Sequence, residues 1–576
     1  MAIKNQRLVA DFETTTDPGD LRVWATCAVD IDSLDVVHLG SDIEGFFEYL
    51  KNKNIRCYFH NLKFDGEFIL AYLERNGYTY VTGVHDDGPR KGERKALQSM
   101  EYTALITDDG LWYSLEVMFN RIDKTHYHKV TFYDSLKKLP FKAAKIAKDF
   151  ELEVSKGSID YRKHRPKGYV MTDDEKEYII TDCRIIARAL KIQFSEGLTR
   201  MTNAGDAMGY YKEVVGRGNF EKRFPVLPVE LDANIRKAYK GGFVYLNPKY
   251  KGAEGLQGKQ YDVNSLYPWA MYDQLLPYGY PVFFTGKPVD IDQYPLYIVR
   301  LKCTFRVKTG FIPMLQLKNT GRYAETEYLT TSEYKQGNYT VNDPVEMTLT
   351  SVDLKLFREH YDVDDLTYLD GFRFKGMAGL FRGYIDHWMK VKETTTGAKR
   401  QLAKLQLNSL YGRFALSTKA RKKKPYLDED EIIHFDYGDY EEREPVYTAV
   451  ACFITAYARD KTIRSAQAHY DRFIYADTDS LKLVGYDEPE GLEIHPTMLG
   501  AWKDEGDFDN SKWIRAKTYM TTVNGKTKVT CAGMPDNVKE QVTYENFRPG
   551  STFNGKLVPR RYPGGIILED TTFTIK

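Results

Sequence analysis

The chain has 576 residues, 42% hydrophobic and 28% charged, so it reads as a soluble globular protein of several domains. Its 82 Lys and Arg against 81 Asp and Glu leave a net charge of +1, so composition alone does not announce a nucleic-acid binder and any basic surface must be local. Six cysteines without paired spacing suggest neither a zinc site nor a disulfide framework, and no stretch reaches signal-peptide or membrane-spanning length, which together fit reduced thiols in a cytoplasm.

The first third alternates strands and helices. "RLVADF" and "IRCYFH" read as strands and "FDGEFILAYLERNGY" as a helix, with Asp65 just before it. "ALITDDGLWYSLEVMF" reads as a hairpin turning at Asp108–Gly110. In "DDEKEYIITDCRIIARALKIQF", Ile179, Cys183, Ile186, Ala187 and Leu190 keep helical spacing behind a cap at Thr172 or Asp173. This alternation predicts an α/β domain ending near residue 200.

Further on, "KQYDVNSLYPWAMYDQLL" reads as strand then helix, and residues 274–375 as several Tyr-rich, Pro-punctuated strands. "GAKRQLAKLQLNSLYGRFAL" predicts a helix, "ARKKKPYLDEDEIIHFDYGDY" a long hairpin, and "TAVACFITAYARDKTIRSAQAHY" another helix. "FIYADTDSLKLV" reads as two short strands meeting at a turn, and the last forty-odd residues as short strands and turns.

Two acidic constellations carry chemistry. Asp11 and Glu13 sit two apart on a strand and so share a face. Asp65 opens a helix, and Tyr178 and Asp182 lie four apart on one helix face. Each piece alone is more often a cap or a solvated acid. Together, in this order within one α/β domain, they suit two divalent metals and an oriented water for phosphodiester hydrolysis. The set resembles the proofreading 3′–5′ exonuclease domain of DNA polymerases. The second constellation is Asp262 in "YDVNSLYP" with Asp477 and Asp479 in "YADTDS". A lone "DTD" is more often a turn, but two metals about 4 Å apart suit in-line phosphoryl transfer between such acids. Lys404, Asn408 and Tyr411 are spaced along one face of the predicted helix 397–411, and Lys392, Arg400 and Lys404 fall within roughly a third of a circle at about 100° per residue. That cationic stripe would grip a triphosphate.

With "DFETTT", "YFHNLKFDG", "YDSLKKLPF", "DVNSLYP", "LNSLYG", "DTDS", "KTY", "CAGM" and "DTTFTIK" spread nearly end to end, the chain resembles a family B DNA polymerase of the protein-primed branch, close to the replicases of small Bacillus podoviruses. The resemblance implies a multidomain α/β and α+β fold: an RNase H-like exonuclease domain (1–201), palm (202–273 and 442–531), a first insertion that contacts terminal protein (274–379), fingers (380–415), a second insertion giving strand displacement and processivity (416–441), and thumb (532–576). It implies that Asp11, Glu13, Asp65 and Asp182 bind the exonuclease metals, with Tyr178 orienting water and Lys156 assisting. Thr14, His60, Asn61, Phe64, Phe68, Ser135 and Leu136 would hold the single-stranded primer end. Asp262, Asp479 and the Val263 carbonyl would bind the polymerase metals, with Asp477 beside them. Tyr267 would exclude a ribose 2′-OH, Lys392, Arg400 and Lys404 would hold the triphosphate, and Asn408 and Tyr411 would monitor the nascent pair. Tyr239, Gly241 and Gly242 would bind template, and Lys517 and Tyr519 the primer strand.

The implied cofactor is Mg²⁺, two ions per active site, with Mn²⁺ able to substitute. The implied partners are template-primer DNA, deoxynucleoside triphosphates and a terminal protein, for a monomeric viral enzyme in the host cytoplasm. A DNA-primed repair-type polymerase is the alternative. A nuclease with a non-catalytic clamp predicts loss of Asp262, Asp477 and Asp479, and a decayed structural relative predicts loss of both acid sets; all are present. The chain departs from the family at Lys240, where arginine is usual, at Ser158, where an acid is common, and at Arg400, where lysine is usual. The loop 83–98 matches poorly.

Overall fold

The structure is a computed structural model that describes residues 5–85, 92–153, 157–161, 163–289, 291–316 and 328–576. Its first unit is an eight-stranded sheet in which Gln6–Thr14 lies between Val23–Asp30 and Ile55–Phe59. The pairing with Ile55–Phe59, and of that strand with Tyr127–Asp134, is parallel; the neighbours outside are mostly antiparallel. Alternation along Gln6–Thr14 divides the core. Leu8, Ala10 and Phe12 pack with the helix Leu62–Arg75, whereas Val9 points to the helix Asp173–Ser195. The latter helix starts where the sequence says it should. Thr172 and Glu175 form a reciprocal capping box, and Asp173, Asp174 and Glu175 put three acids at the positive end of the helix dipole.

The second unit is a five-stranded antiparallel sheet in the order Trp502–Phe508, Gly258–Val263, Ser480–Val484, Phe473–Asp477, Val244–Leu246. Segments more than two hundred residues apart are thus neighbours, with Asp262 opposite Ser480. Behind the sheet runs the helix Thr448–Ala468, buried nearly all round, which explains its lack of an amphipathic stripe.

Four expectations change. The 274–375 region forms a four-stranded sheet and a small hairpin, but it also holds the helix Ser351–His360, capped by the Thr350 hydroxyl on the Asp353 amide. The chain end is one long hairpin, Thr552–Tyr562 with Gly565–Thr574, instead of short strands. Asp65 lies inside the first turn of its helix, not before it. The predicted helix 397–411 stops at Ser409, and Tyr411 begins a 3-10 turn to Ala415. The predicted hairpin 416–441 spans Lys419–Leu427 and Ile433–Glu442.

A buried ion pair seals the seam between the first unit and the helix Asn203–Val215. Lys138 and Asp206 are 0% and 2% exposed. Lys138 Nζ also donates to the Arg200 carbonyl at 3.0 Å, and the Lys138 carbonyl accepts from Asn203 and Gln193 at 2.8 and 3.0 Å. Burial pushes Lys138 down and Asp206 up, and their mutual attraction opposes both shifts. Asp206→Ala would strand a buried ammonium, so it is expected to cost about 3–5 kcal/mol of stability. A denaturant midpoint within error of wild type would show that the pair does not hold the seam.

Candidate active sites

The "YADTDS" hairpin turns through Thr478, whose φ of 59° is left-handed and strained for a β-branched residue. Its surroundings hold it there. The Thr478 amide donates to the Phe243 carbonyl at 2.6 Å, and the Thr462 hydroxyl donates to the Thr478 carbonyl at 2.7 Å. Gly242 must be glycine beside it, because a Cβ there would lie 2.5 Å from Thr478 Oγ1. The Val263 amide donates to the Asp479 carbonyl at 2.7 Å and docks the turn on the strand end that carries Asp262.

Asp262 and Asp479 line one cavity of about 860 Å³. Asp477 turns elsewhere, accepting from Lys517 Nζ at 2.6 Å and from the Tyr475 hydroxyl at 3.2 Å. Burial, then the charge of Asp479, pushes the Asp262 carboxyl up to about 7. Burial likewise raises Asp479, with Asp477 adding to the shift. Among the described residues, buried Asp262 Oδ1 has no hydrogen-bond partner.

The opposite wall carries Lys392, Arg400 and Lys404, with Tyr267, Asn408 and Tyr411. The expected single stripe is instead two helices. Lys392 belongs to Arg382–Thr394 and the other two to Gly397–Ser409, and the break at Thr395–Thr396 folds one back on the other. Arg400 donates to the Lys392 carbonyl, and Lys392 Nζ donates to Ser265 Oγ at 3.1 Å. Burial, then repulsion from Arg400, holds both lysines below their ordinary value. Tyr267 and Tyr411 stack with centroids 4.1 Å apart. One wall thus holds carboxylates that want a cation, and the other holds cations that want an anion.

The first acid cluster forms around the strand Gln6–Thr14. Glu13, Asp65, Tyr178 and Asp182 are buried and Asp11 half-buried. Burial, then Asp11 and Glu13, raises Asp65 well above the carboxylate range. Burial, the Tyr161 hydroxyl at 2.8 Å and the charge of Asp182 raise Tyr178. Thr14, Phe64 and Leu136 are half-buried and Asn61 exposed. Two expected strand contacts are buried instead. Ser135 is fully buried with its hydroxyl on His60 Nδ1 at 2.9 Å, and Phe68 is packed in the core. Ser135 therefore orients His60. Lys156 lies outside the described residues, and Ser158 is exposed. Tyr239 is half-buried, and Gly241 is exposed beside Gly242. Lys517 is exposed, and Tyr519 stacks on Trp513 at 4.8 Å.

Among the described residues no three His, Cys, Asp or Glu side chains converge as a ready-made metal cage. The donor chemistry still fits a hard divalent cation: oxygen ligands only, carboxyls raised by burial and by a like-charged neighbour, and an orphaned Asp262 oxygen.

Sequence reasoning missed several supports. Arg459, a buried cation of the helix Thr448–Ala468, donates to the Lys240 and Gly241 carbonyls at 2.8 and 2.9 Å and forks onto Asp353 at 2.8 Å. Asp134 Oδ1 accepts from the Asn61 and Leu136 amides at 3.2 and 3.1 Å. Lys503 and Glu505 join the polar wall of the large cavity.

The family model for type B DNA polymerases, organellar and viral, matches residues 48–494. The DNA polymerase of Bacillus phage Nf is 44% identical over 98% of this chain and 99% of its own. That of Bacillus phage phi29 is 43% identical over 98% of each. The solved structure of phi29 DNA polymerase complexed with primer-template DNA covers 99% of this chain and 100% of that one, with a TM-score of 0.91 and 41% identity. The ternary complex with incoming nucleotide substrates gives 0.90 and 42%.

The raised Asp262 carboxyl makes a pH prediction for metal-free protein. Between the ordinary carboxylate value and about 7 the folded state holds a proton that the unfolded chain has lost, so stability falls as pH rises through that window. The melting temperature in chelator should show this slope, and Asp262→Asn should make it shallower, leaving the part due to the other raised carboxyls, Asp65 and Asp479. An identical slope in the variant would place the shifted group elsewhere.

Proposed function

Because the chain belongs to the organellar and viral type B DNA polymerases, and is a DNA polymerase like those of the phi29-like phages, we propose that it replicates a viral genome with proofreading, strand displacement and protein-primed initiation. The observation that carries the reading is the cavity shared by Asp262, Asp479, Lys392, Arg400 and Lys404. The division into exonuclease, palm, fingers, thumb and two insertions is part of the same proposal. Primer-template DNA and incoming nucleotides are taken as substrates by analogy with the solved relative.

In this reading Asp262, Asp479 and the Val263 carbonyl would hold divalent cations, whose chemistry there would be to lower the pKa of the primer 3′-hydroxyl and to offset the charge of the departing pyrophosphate. Lys392, Arg400 and Lys404 grip the triphosphate, which relieves their mutual repulsion. Tyr267, braced by Tyr411, packs under the sugar where a 2′-hydroxyl would collide, and Asn408 reads the new pair. Lys517 and Tyr519 hold the primer strand. Asp477 positions Lys517 through the 2.6 Å bond and supports the turn. At the other site Asp11, Glu13, Asp65 and Asp182 hold metal and Tyr178 orients the attacking water. Thr14, Asn61, Phe64, Leu136 and the Ser135-oriented His60 hold the frayed 3′ end. In the first round the hydroxyl comes from a terminal protein.

Asp479→Ala is expected to abolish primer extension, by at least a thousandfold, and to leave decay of a 3′-labelled single strand intact. Asp11→Ala with Asp65→Ala should do the reverse. Synthesis surviving the first change would remove Asp479 from the metal site, and degradation surviving the second would remove the exonuclease assignment. Template-directed nucleotidylation of a cognate terminal protein tests the priming step; failure with an authentic partner would leave a DNA-primed enzyme.

A further inference from the structure

Four consecutive residues, Asp65-Gly66-Glu67-Phe68, tie the first-unit sheet to the C-terminal hairpin. Asp65 is fully buried beside Asp11 and Glu13, and burial first, then their like charge, raises it. Gly66 lies so close to the Trp112 ring that any Cβ would collide with it. Trp112 in turn meets Phe435 of the Ile433–Glu442 strand edge to face, with centroids 5.9 Å apart. Glu67 is 0% exposed, and its carboxylate is gripped by Arg561 of the C-terminal hairpin, through Nε at 3.0 Å to both oxygens and Nη2 at 2.8 Å. Phe68 packs under Gly565 so closely that a side chain there would collide with its ring.

These contacts close on one another. The Arg561 guanidinium sits 4.6 Å over the Phe435 ring, so one cation joins the first unit, the inserted hairpin and the C-terminal hairpin. Ile433 and Ile566 are buried in the same core as the helix Leu62–Arg75. Arg75 pairs with Glu431 at 2.7 Å, and the Asp108 amide donates to the Arg421 carbonyl at 3.0 Å. A forked, charge-assisted grip on a fully buried carboxylate is strong and directional. Without the guanidinium, Glu67 would be a buried charge without its forked partner and would move toward water. Asp65 is in the same helical turn and would move with it.

We propose that Arg561 and Glu67 are positioning residues for the exonuclease centre: seating of the C-terminal hairpin sets where Asp65 stands, so the thumb's position is read out as exonuclease competence. This rests on the exonuclease reading of Asp65. The coupling is chemical as well as spatial, because a carboxylate ligand displaced by a fraction of an ångström weakens metal binding at that site and leaves the Asp262–Asp479 site untouched.

The test uses the full-length protein with Arg561→Gln, Glu67→Gln, the double glutamine variant, Arg561→Lys and Asp65→Ala. Single-turnover decay of a 3′-labelled single strand is followed against Mg²⁺ concentration, beside single-nucleotide insertion on a primer-template. Arg561→Gln and Glu67→Gln should each slow decay about tenfold and raise the Mg²⁺ half-saturation of decay at least threefold. Insertion and its Mg²⁺ dependence should be unchanged. The double variant should be no worse than either single one, and Arg561→Lys should recover part of the loss. Unchanged decay in both single variants, multiplying losses in the double, or an equal fall in insertion would overturn the coupling. Should Arg561→Gln not fold, the double glutamine variant, which buries no charge, gives the same readout. Decay surviving Asp65→Ala would instead overturn the exonuclease reading itself, so the two failures are distinguishable.

Discussion

Carboxylates repel, and the cost of holding two of them together rises as water is removed. At a separation of about 4 Å the repulsion is near 1 kcal/mol in water and about 4 kcal/mol at an effective dielectric constant of 20. Much of the second unit is arranged to impose that pairing on Asp262 and Asp479. A left-handed threonine turn, a glycine with no room for a side chain, two backbone hydrogen bonds and a five-stranded sheet all converge on a few atoms. Strain of this kind, of order 1–3 kcal/mol per residue, persists only where the surroundings over-determine it. The same logic appears in the first unit, where burial and then two like neighbours raise Asp65.

The opposing wall repeats the problem with reversed sign. Lys392, Arg400 and Lys404 are drawn together although burial, and then the charge of Arg400, lowers the proton affinity of both lysines. Each half of the cavity therefore gathers like charges, and the two halves come from different segments of the chain, the acids from the five-stranded sheet and its turn and the three cations from two helices.

What could be read in the sequence follows from range. The Asp11–Glu13 strand, the capped helix bearing Tyr178 and Asp182, and the "YADTDS" hairpin are local patterns, and the structure contains each of them. Lys392 misled because its apparent phase with Lys404 assumes one helix. The break is signalled only by the β-branched run Thr394-Thr395-Thr396 and by Gly397, whose φ is 51°. The helix Ser351–His360 carried its own cap, Thr350 before Asp353, but lay among strands long enough to hide it. Burial of Ser135 and Phe68 depends on partners that approach from elsewhere in the fold. The Arg561–Glu67 pair, 494 residues apart, has no local signal at all.

The Lys138–Asp206 pair has a consequence for ancestry and engineering. A chain cut near residue 201 would separate a lysine that is 0% exposed from the only carboxylate that forms an ion pair with it among the described residues. The boundary between the first unit and the helix Asn203–Val215 is therefore a boundary of the chain and not of stability. The first unit therefore cannot be lifted out or exchanged as a cassette without rebuilding the seam, and a graft at this point must carry a partner for Lys138 with it.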